Sequence, residues 1–310
     1  MQNENLSEET SKPLVVGLGE LLWDEFGESR RSGGAPANVA FQANQLGCNG
    51  VICSRVGRDE SGDEILKFLE ERGLTTEYIQ RDSDLPTGRV TVDDSSPGHP
   101  RFIIHENVAW DALAFTEPVR HLMHNARAVC FGTLAQRSPT SHETVQRCLT
   151  ECDEGCLKLF DVNLRENWFT AEIIEASLQH ANVLKLNSEE VQTLSHMFEI
   201  RHINEAEFCT KIAERFGISR VCVTRAERGC LLSDGKNFVE VPGENVQVVD
   251  AVGAGDALSA ALILAVLEQR PLEPTARFIN AIGANTTTRS GAMSSSSDEF
   301  RDIKQRILGE

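Results

Sequence analysis

Apolar runs rich in β-branched residues recur along the chain at Leu14–Leu18, Val51–Val56, Ala128–Phe131, Leu157–Phe160, Val183–Leu186 and Arg220–Thr224. Between most of them lie stretches whose apolar positions repeat with the period of a helix, as at Asp63–Arg72, Ser141–Cys152, Glu172–His180 and Ala206–Phe216. The first and last of these run into Gly73 and Gly217, and glycine readily closes a helix. Strands alternating with helices predict an α/β fold: a parallel sheet with helices packed on it. Two regions depart from the alternation. Gly88–Asp93 and Arg101–His105 flank the turn-rich Asp94–Pro100 and predict a hairpin of the kind that makes a lid. Gly229–Ser233 and Phe238–Val241, around Asp234-Gly235, predict an antiparallel patch. Next come a strand at Val246–Val249, a turn of small residues, and a helix from Ala257 to about Glu268.

Composition narrows the class of protein. A length of 310 residues leaves one or two domains open, and no apolar run reaches the roughly 20 residues needed to cross a bilayer, so a soluble protein is expected. Residues 1–13 are polar and acidic and predict a mobile tail; with no basic start or apolar stretch for export, a cytoplasmic setting is expected. The nine cysteines are scattered through hydrophobic segments, as reduced buried thiols are. Cys148, Cys152 and Cys156 would share one helix face, and they too read as buried thiols, because no C-x₂-C pair of a zinc site occurs. A net charge of −17 without a basic patch argues against nucleic acid as a partner. Small phosphates remain open to it, through backbone dipoles and a few cations.

The densest chemistry lies at Gly253-Ala254-Gly255-Asp256. The N–H groups that open a helix have no intrahelical partners, and with the helix dipole they form an anion site. Asp256 beside such a site has two readings: a first-turn acid that complements the helix, or a base that takes a proton from an attacking hydroxyl. The local sequence does not separate them. No P-loop ending in Gly-Lys-Ser/Thr occurs to cradle phosphates in another way. Gly17-Leu18-Gly19 lacks the third glycine of a dinucleotide fingerprint, and Glu20 would oppose a pyrophosphate.

Four short segments follow one another in the order GGAPANVA (33–40), NSEE (187–190), VTRAERG (223–229) and GAGD (253–256). Together they resemble the ribokinase-like carbohydrate kinases, the PfkB family, over about Leu14 to Ser297. The resemblance implies a three-layer α/β/α sandwich with a mostly parallel central sheet and a small β-sheet lid. Residues 14–310 would form one kinase domain, with lid strands at about 21–33 and 86–111. It further implies Mg-ATP as donor, a sugar as acceptor, Asp256 as base, and Gly253, Ala254 and Gly255 as the anion hole.

The similarity assigns the remaining roles. Asp24, in GELLWD after the first strand, would accept sugar hydroxyls; Gly33 and Gly34 would let the backbone approach the sugar, and Asn38 would bond to it. Arg165, in the D-x-N-x-R segment from Asp161, would meet a phosphate or an acidic sugar. Glu190 would organise Mg²⁺ through water, accompanied by Asn187, unless the two serve only as a helix opening. Thr224, Ala226, Gly229 and Asn280 would touch the nucleotide. Ala226 replaces the family's usual glycine, and its methyl would narrow the pocket or forbid a positive φ. Asp250, Val252, Thr286, Arg289, Gly291 and Ser295 would supply a K⁺ site, with Ala251 standing where threonine is usual. GELLWD, GGAPANVA, Ile104–Asp111 and the Phe131-Gly-Thr-Leu-Ala stretch look like fructokinase-type members. The rivals are kinases for ribose, a nucleoside or ketodeoxygluconate, and a sugar-sensing pseudokinase. Lid strands with an uncovered edge would allow a homodimer.

Overall fold

The structure is a computed structural model that describes residues 12–27, 29–93, 101–200 and 204–309; the acidic tail up to residue 11 and the turn at 94–100 lie outside them. The described strands are β1 (Leu14–Leu18), β2 (Leu22–Phe26), β3 (Ser29–Gly33), β4 (Asn49–Gly57), β5 (Ile79–Asp82), β6 (Gly88–Asp93), β7 (Arg101–Ile104), β8 (Ala128–Gly132), β9 (Leu157–Asp161), β10 (Val183–Asn187), β11 (Arg220–Thr224), β12 (Cys230–Ser233) and β13 (Phe238–Val241). The α-helices are α1 (Ala35–Gln45), α2 (Glu60–Glu70), α3 (Glu117–Asn125), α4 (Pro139–Glu151), α5 (Ala171–His180), α6 (Ser188–Met197), α7 (Glu205–Phe216), α8 (Ala254–Leu267), α9 (Leu272–Thr286) and α10 (Ser297–Leu308).

Nine strands form the central sheet in the order β13-β12-β11-β10-β9-β8-β1-β4-β5, and only β12 and β13 run antiparallel to their neighbours. The two-residue period of each strand divides its side chains between two cores. Val16, Leu18, Val129, Phe131, Leu184 and Leu186 face α3 to α7, while Val15, Ala128, Cys130, Leu157, Leu159 and Val183 face α8, α9 and α10. The result is the expected three-layer α/β/α sandwich. Gly17 falls on the second face, where a side chain would come within 1.9 Å of the Pro36 carbonyl. Its bareness lets α1 lie close on β1.

A second sheet of four strands, β3-β2-β6-β7, stands apart from the first. Trp23 in β2 donates its indole N–H to Ser61 of α2, and Asp59, which caps α2, also takes the N–H and hydroxyl of Thr87 just before β6. Those contacts hold the small sheet beside the carboxyl ends of β1 and β4.

Three expectations are corrected. Val246–Val249 forms no strand, because the segment finds no sheet neighbour: Val248 and Val249 are each 62% exposed, and the N–H groups of Val249 and Asp250 donate instead to the Thr287 carbonyl past α9. The following helix opens at Ala254, three residues earlier than predicted, so Asp256 lies in its first turn. Cys156 shares no helix face with Cys148, since α4 ends at Glu151 and Cys156 precedes β9; all three thiols are buried. Leu22–Asp24 cross into the small sheet as part of β2. Among the described residues no helix is long and apolar enough to cross a membrane.

Candidate active site

β1 lies between β4 and β8, so chain connections leave it in opposite directions, and a crevice opens beyond its carboxyl end. A cavity of about 620 Å³ occupies this position, walled by the small sheet, the start of α1 and the start of α8. It brings together Asp24, Gly34, Asn38, Arg165, Gly253, Gly255 and Asp256. Gly33 sits behind the wall, where its bare Cα leaves room for Asp24: a side chain there would come within 2.3 Å of the carboxylate.

The start of α8 follows from its small residues. Gly253 caps the helix at φ +82°, and a side chain there would strike Ala292 at 2.5 Å. The Ala257 N–H already reaches the Gly253 carbonyl, whereas those of Gly255 and Asp256 have no intrahelical partner. The Ala254 N–H is partly taken by the Ala251 carbonyl at 3.4 Å, and Ala254 does not line the cavity. Asp256 accepts a 2.7 Å hydrogen bond from the Asn38 amide.

Lys185 was not singled out in the sequence. It is paired in register with Asp161 on the neighbouring strand, both on the face toward α8 and both near the carboxyl edge of the sheet. Its ammonium binds both Asp161 oxygens, at 3.0 and 2.9 Å, and Ser259 of α8 donates to the same carboxylate. A side chain on Gly255 would lie 3.0 Å from the Lys185 Nζ, so that glycine allows the cation to rest against the helix tip. The only sequence signal was one lysine in an apolar strand.

Burial pushes Asp256 up to about 6; Asp161 adds to the rise, and Lys185 and the Asn38 hydrogen bond oppose it. Burial also pushes Asp24 up to about 6, with Arg165 opposing and Asp256 reinforcing. A base poised near neutrality suits proton removal from a hydroxyl.

The other expected residues are distributed around this centre. Glu190 accepts N–H groups from Leu164 at 2.8 Å and Asn187 at 2.7 Å, and Asn187 caps α6 in return. Each carboxylate oxygen has capacity beyond its one hydrogen bond, so a water-mediated Mg²⁺ contact fits Glu190. Gly229 lies against Val241 and Pro242, and Asn280 donates to the Pro242 carbonyl at 3.1 Å, so these two flank one loop. Thr224 ends β11 beside them. Ala226 adopts φ +51° in spite of its methyl, which removes the expectation that alanine would forbid the conformation. Asp250 holds the N–H groups of Val252 and Gly291 and also pairs with Arg31 of β3 at 2.5 Å. The Ser295 hydroxyl donates to Gln45, and Thr286 and Arg289 are bonded to Ile282 and Glu299. A K⁺ ion would therefore rely on backbone carbonyls more than on these side chains.

A larger open groove, about 1230 Å³, runs between α6, α7 and β13. It shares no lining residue with the Asp256 cavity, and its Arg225 is committed to Glu205 and Glu240.

A helix tip with unpaired opening amides, set beside a buried carboxylate in one cavity, suits phosphoryl transfer to a hydroxyl. Residues 14–299 match the pfkB family carbohydrate kinase model, and the chain belongs to that family. An uncharacterized sugar kinase of Pyrococcus horikoshii is 29% identical, over 94% of this chain and 96% of its own. Its structure in complex with ATP superposes with a TM-score of 0.79 over 95% of this chain and 99% of that one, at 27% identity. Fructokinase-1 of Zea mays is 27% identical over 92% of this chain and 94% of its own. A fructokinase of Xylella fastidiosa with bound ATP shares the fold at a TM-score of 0.82 and 24% identity, covering 96% and 99% of the two chains.

Proposed function

We propose that this carbohydrate kinase transfers the γ-phosphoryl group of ATP to a hydroxyl of fructose, with Asp256 as the base. The observation that carries the reading is the cavity in which Asp256, Asn38 and Asp24 face the amides that open α8. The acceptor hydroxyl gives its proton to Asp256 as its oxygen attacks the γ-phosphorus, the bond from that phosphorus to the β,γ-bridging oxygen breaks and ADP leaves, while the Gly255 and Asp256 amides, with Gly253, oppose charge on the equatorial oxygens. Asp24 and Asn38 orient the sugar, and Arg165 at the rim draws in an anionic group. Thr224, Ala226, Gly229, Asn280 and Asn187 would hold the nucleotide. Mg²⁺, bound through phosphate oxygens and through water on Glu190, would neutralise the phosphates.

Residues 14–310 act as one kinase unit in this reading, within the cytoplasm, with the small sheet covering the sugar. Ile103 on β7 is 44% exposed, and a homodimer through that edge would cover it; sedimentation as a monomer at all concentrations would remove this part. K⁺ dependence is read by exchanging KCl for NaCl.

A panel of fructose, ribose, a nucleoside and ketodeoxygluconate, with coupled ADP detection, tests the acceptor. Turnover of fructose above the others is expected; turnover of another acceptor alone rejects fructose, and sugar binding without ADP points to a sensor. Asp256→Asn is expected to keep sugar affinity and lower kcat by about 10²–10⁴-fold. Near-normal turnover in that variant excludes Asp256 as the base.

A further inference from the structure

One carboxyl group in the acceptor cavity has no role in the reaction described so far. Glu20 follows β1 just before the chain crosses into the small sheet, lines the cavity, and is only 3% exposed. Its Oε1 accepts the N–H of Ala35 at 3.2 Å, which serves an opening amide of α1 that the Gly34 cap leaves unbonded. Its Oε2 is buried with no hydrogen-bond partner among the described residues, and so is Oδ1 of Asn38 on the same cavity wall. Buried polar atoms in native proteins are paired unless they await a ligand or water. These two oxygens belong to residues that line the cavity that holds Asp24 and Asp256.

The position of Glu20 is fixed. A side chain on Gly34 would come within 2.3 Å of the Glu20 carbonyl, so Gly34 packs directly on its backbone, and the Ala35 bond holds the carboxyl group. A polyhydroxylated ligand is the class that satisfies such a wall, since each hydroxyl both donates and accepts.

We propose that Glu20 is a specificity-determining residue of the acceptor site, its Oε2 hydrogen-bonding one hydroxyl of the bound sugar. The inference rests on the sugar-kinase reading and adds a contact to it. Burial pushes Glu20 up to about 7; its own backbone N–H and that of Ala35 hold it down, Asp256 raises it, and Arg165 lowers it. The neutral acid below pH 7 can both give and take a hydrogen bond. Above that pH a third anion joins Asp24 of β2 and Asp256 of α8, facing Arg31 of β3, Arg165 after β9 and Lys185 of β10, the last already bound to Asp161.

The test is the KM for fructose and for each other panel acceptor in wild type, Glu20→Ala and Glu20→Gln between pH 6 and 8.5. Glu20→Ala is expected to raise the acceptor KM about tenfold and leave the KM for ATP unchanged. Glu20→Gln keeps an acceptor for Ala35 and offers N–H in place of O–H, so its acceptor KM at pH 6 stays within about threefold of wild type. Wild type loses sugar affinity as pH passes about 7, and Glu20→Gln does not. Asp24 and Asp256 titrate in both proteins, so the difference between the profiles isolates Glu20. An unchanged acceptor KM in Glu20→Ala overturns the proposal; so does a Glu20→Gln profile that follows wild type, which decides alone if the alanine variant does not fold. A wild-type enzyme that makes ADP with no panel member overturns the kinase reading and this contact together. An active wild type with an indifferent Glu20→Ala removes the contact only.

Discussion

Lys185 shows how one side chain ties stability to chemistry. It and Asp161 sit on a sheet face otherwise filled by Val183, Leu157 and Leu159, and their charges are tolerable there because each compensates the other. The same ammonium restrains the rise of Asp256. Lys185→Met should therefore move the acid limb of kcat/KM from about 6 to higher pH, since a base that holds its proton more tightly ionises later. It should also lower stability by about 3–5 kcal/mol by leaving a buried carboxylate unpaired. Adding Asp161→Leu should recover stability. A limb that stays in place in Lys185→Met would show that the lysine does not act on the base. Asp24, Asn38 and Asp256 were singled out through the resemblance of their segments to a family, not from local spacing, and the fold brings all three to one cavity. Lys185 was not, because its partner is 24 residues away on another strand.

Among the elements, the six apolar strands of the large sheet and helices α2, α4, α5, α7 and α8 were read to within a few residues, since each buries apolar side chains, whereas β5, α3, α9 and α10 were not read. Boundaries shifted where capping decided them: α2 begins after Asp59 instead of at Asp63 because the Asp59 carboxylate takes the Gly62 N–H at 2.7 Å. The Val246–Val249 reading failed for a related reason, since β-branched residues favour a strand only where a neighbouring strand exists. Asp59 also joins α2 to the start of β6, so Asp59→Ala should lower stability by about 1–2 kcal/mol in urea unfolding at pH 7. Burial raises this carboxyl, and the bonds from Thr87 and Gly62 outweigh it, leaving it below the usual range. Its contribution is thus present above the ordinary carboxylate value and is lost as pH falls through its lowered one. An equal deficit in Asp59→Ala at pH 7 and at pH 2 would refute the electrostatic part.

For the molecule as a whole, the site carboxylates act in the opposite sense. Glu20, Asp24 and Asp256 are pushed from the ordinary carboxyl values of 4.5, 3.8 and 3.8 to about 7, 6 and 6 in the fold. Between these limits the folded chain binds more protons than the unfolded one, so their effect is to reduce stability as pH rises from about 4 to 7. Without sugar, Glu20→Gln and Asp256→Asn should each raise Tm above wild type at pH 8 and show a smaller difference at pH 4.5. A Tm difference that does not change with pH would exclude this linkage. The sequence by itself determined the alternation of strands and helices, the small residues at the start of α8 and the acid beside them, because these depend on neighbours a few residues apart. Only the tertiary structure decided that Glu20 retains an unpaired oxygen, that Lys185 lies against Gly255, and that Val246–Val249 has no sheet to join. Burial and pairing between distant segments are fixed when the layers close, and no local spacing encodes them.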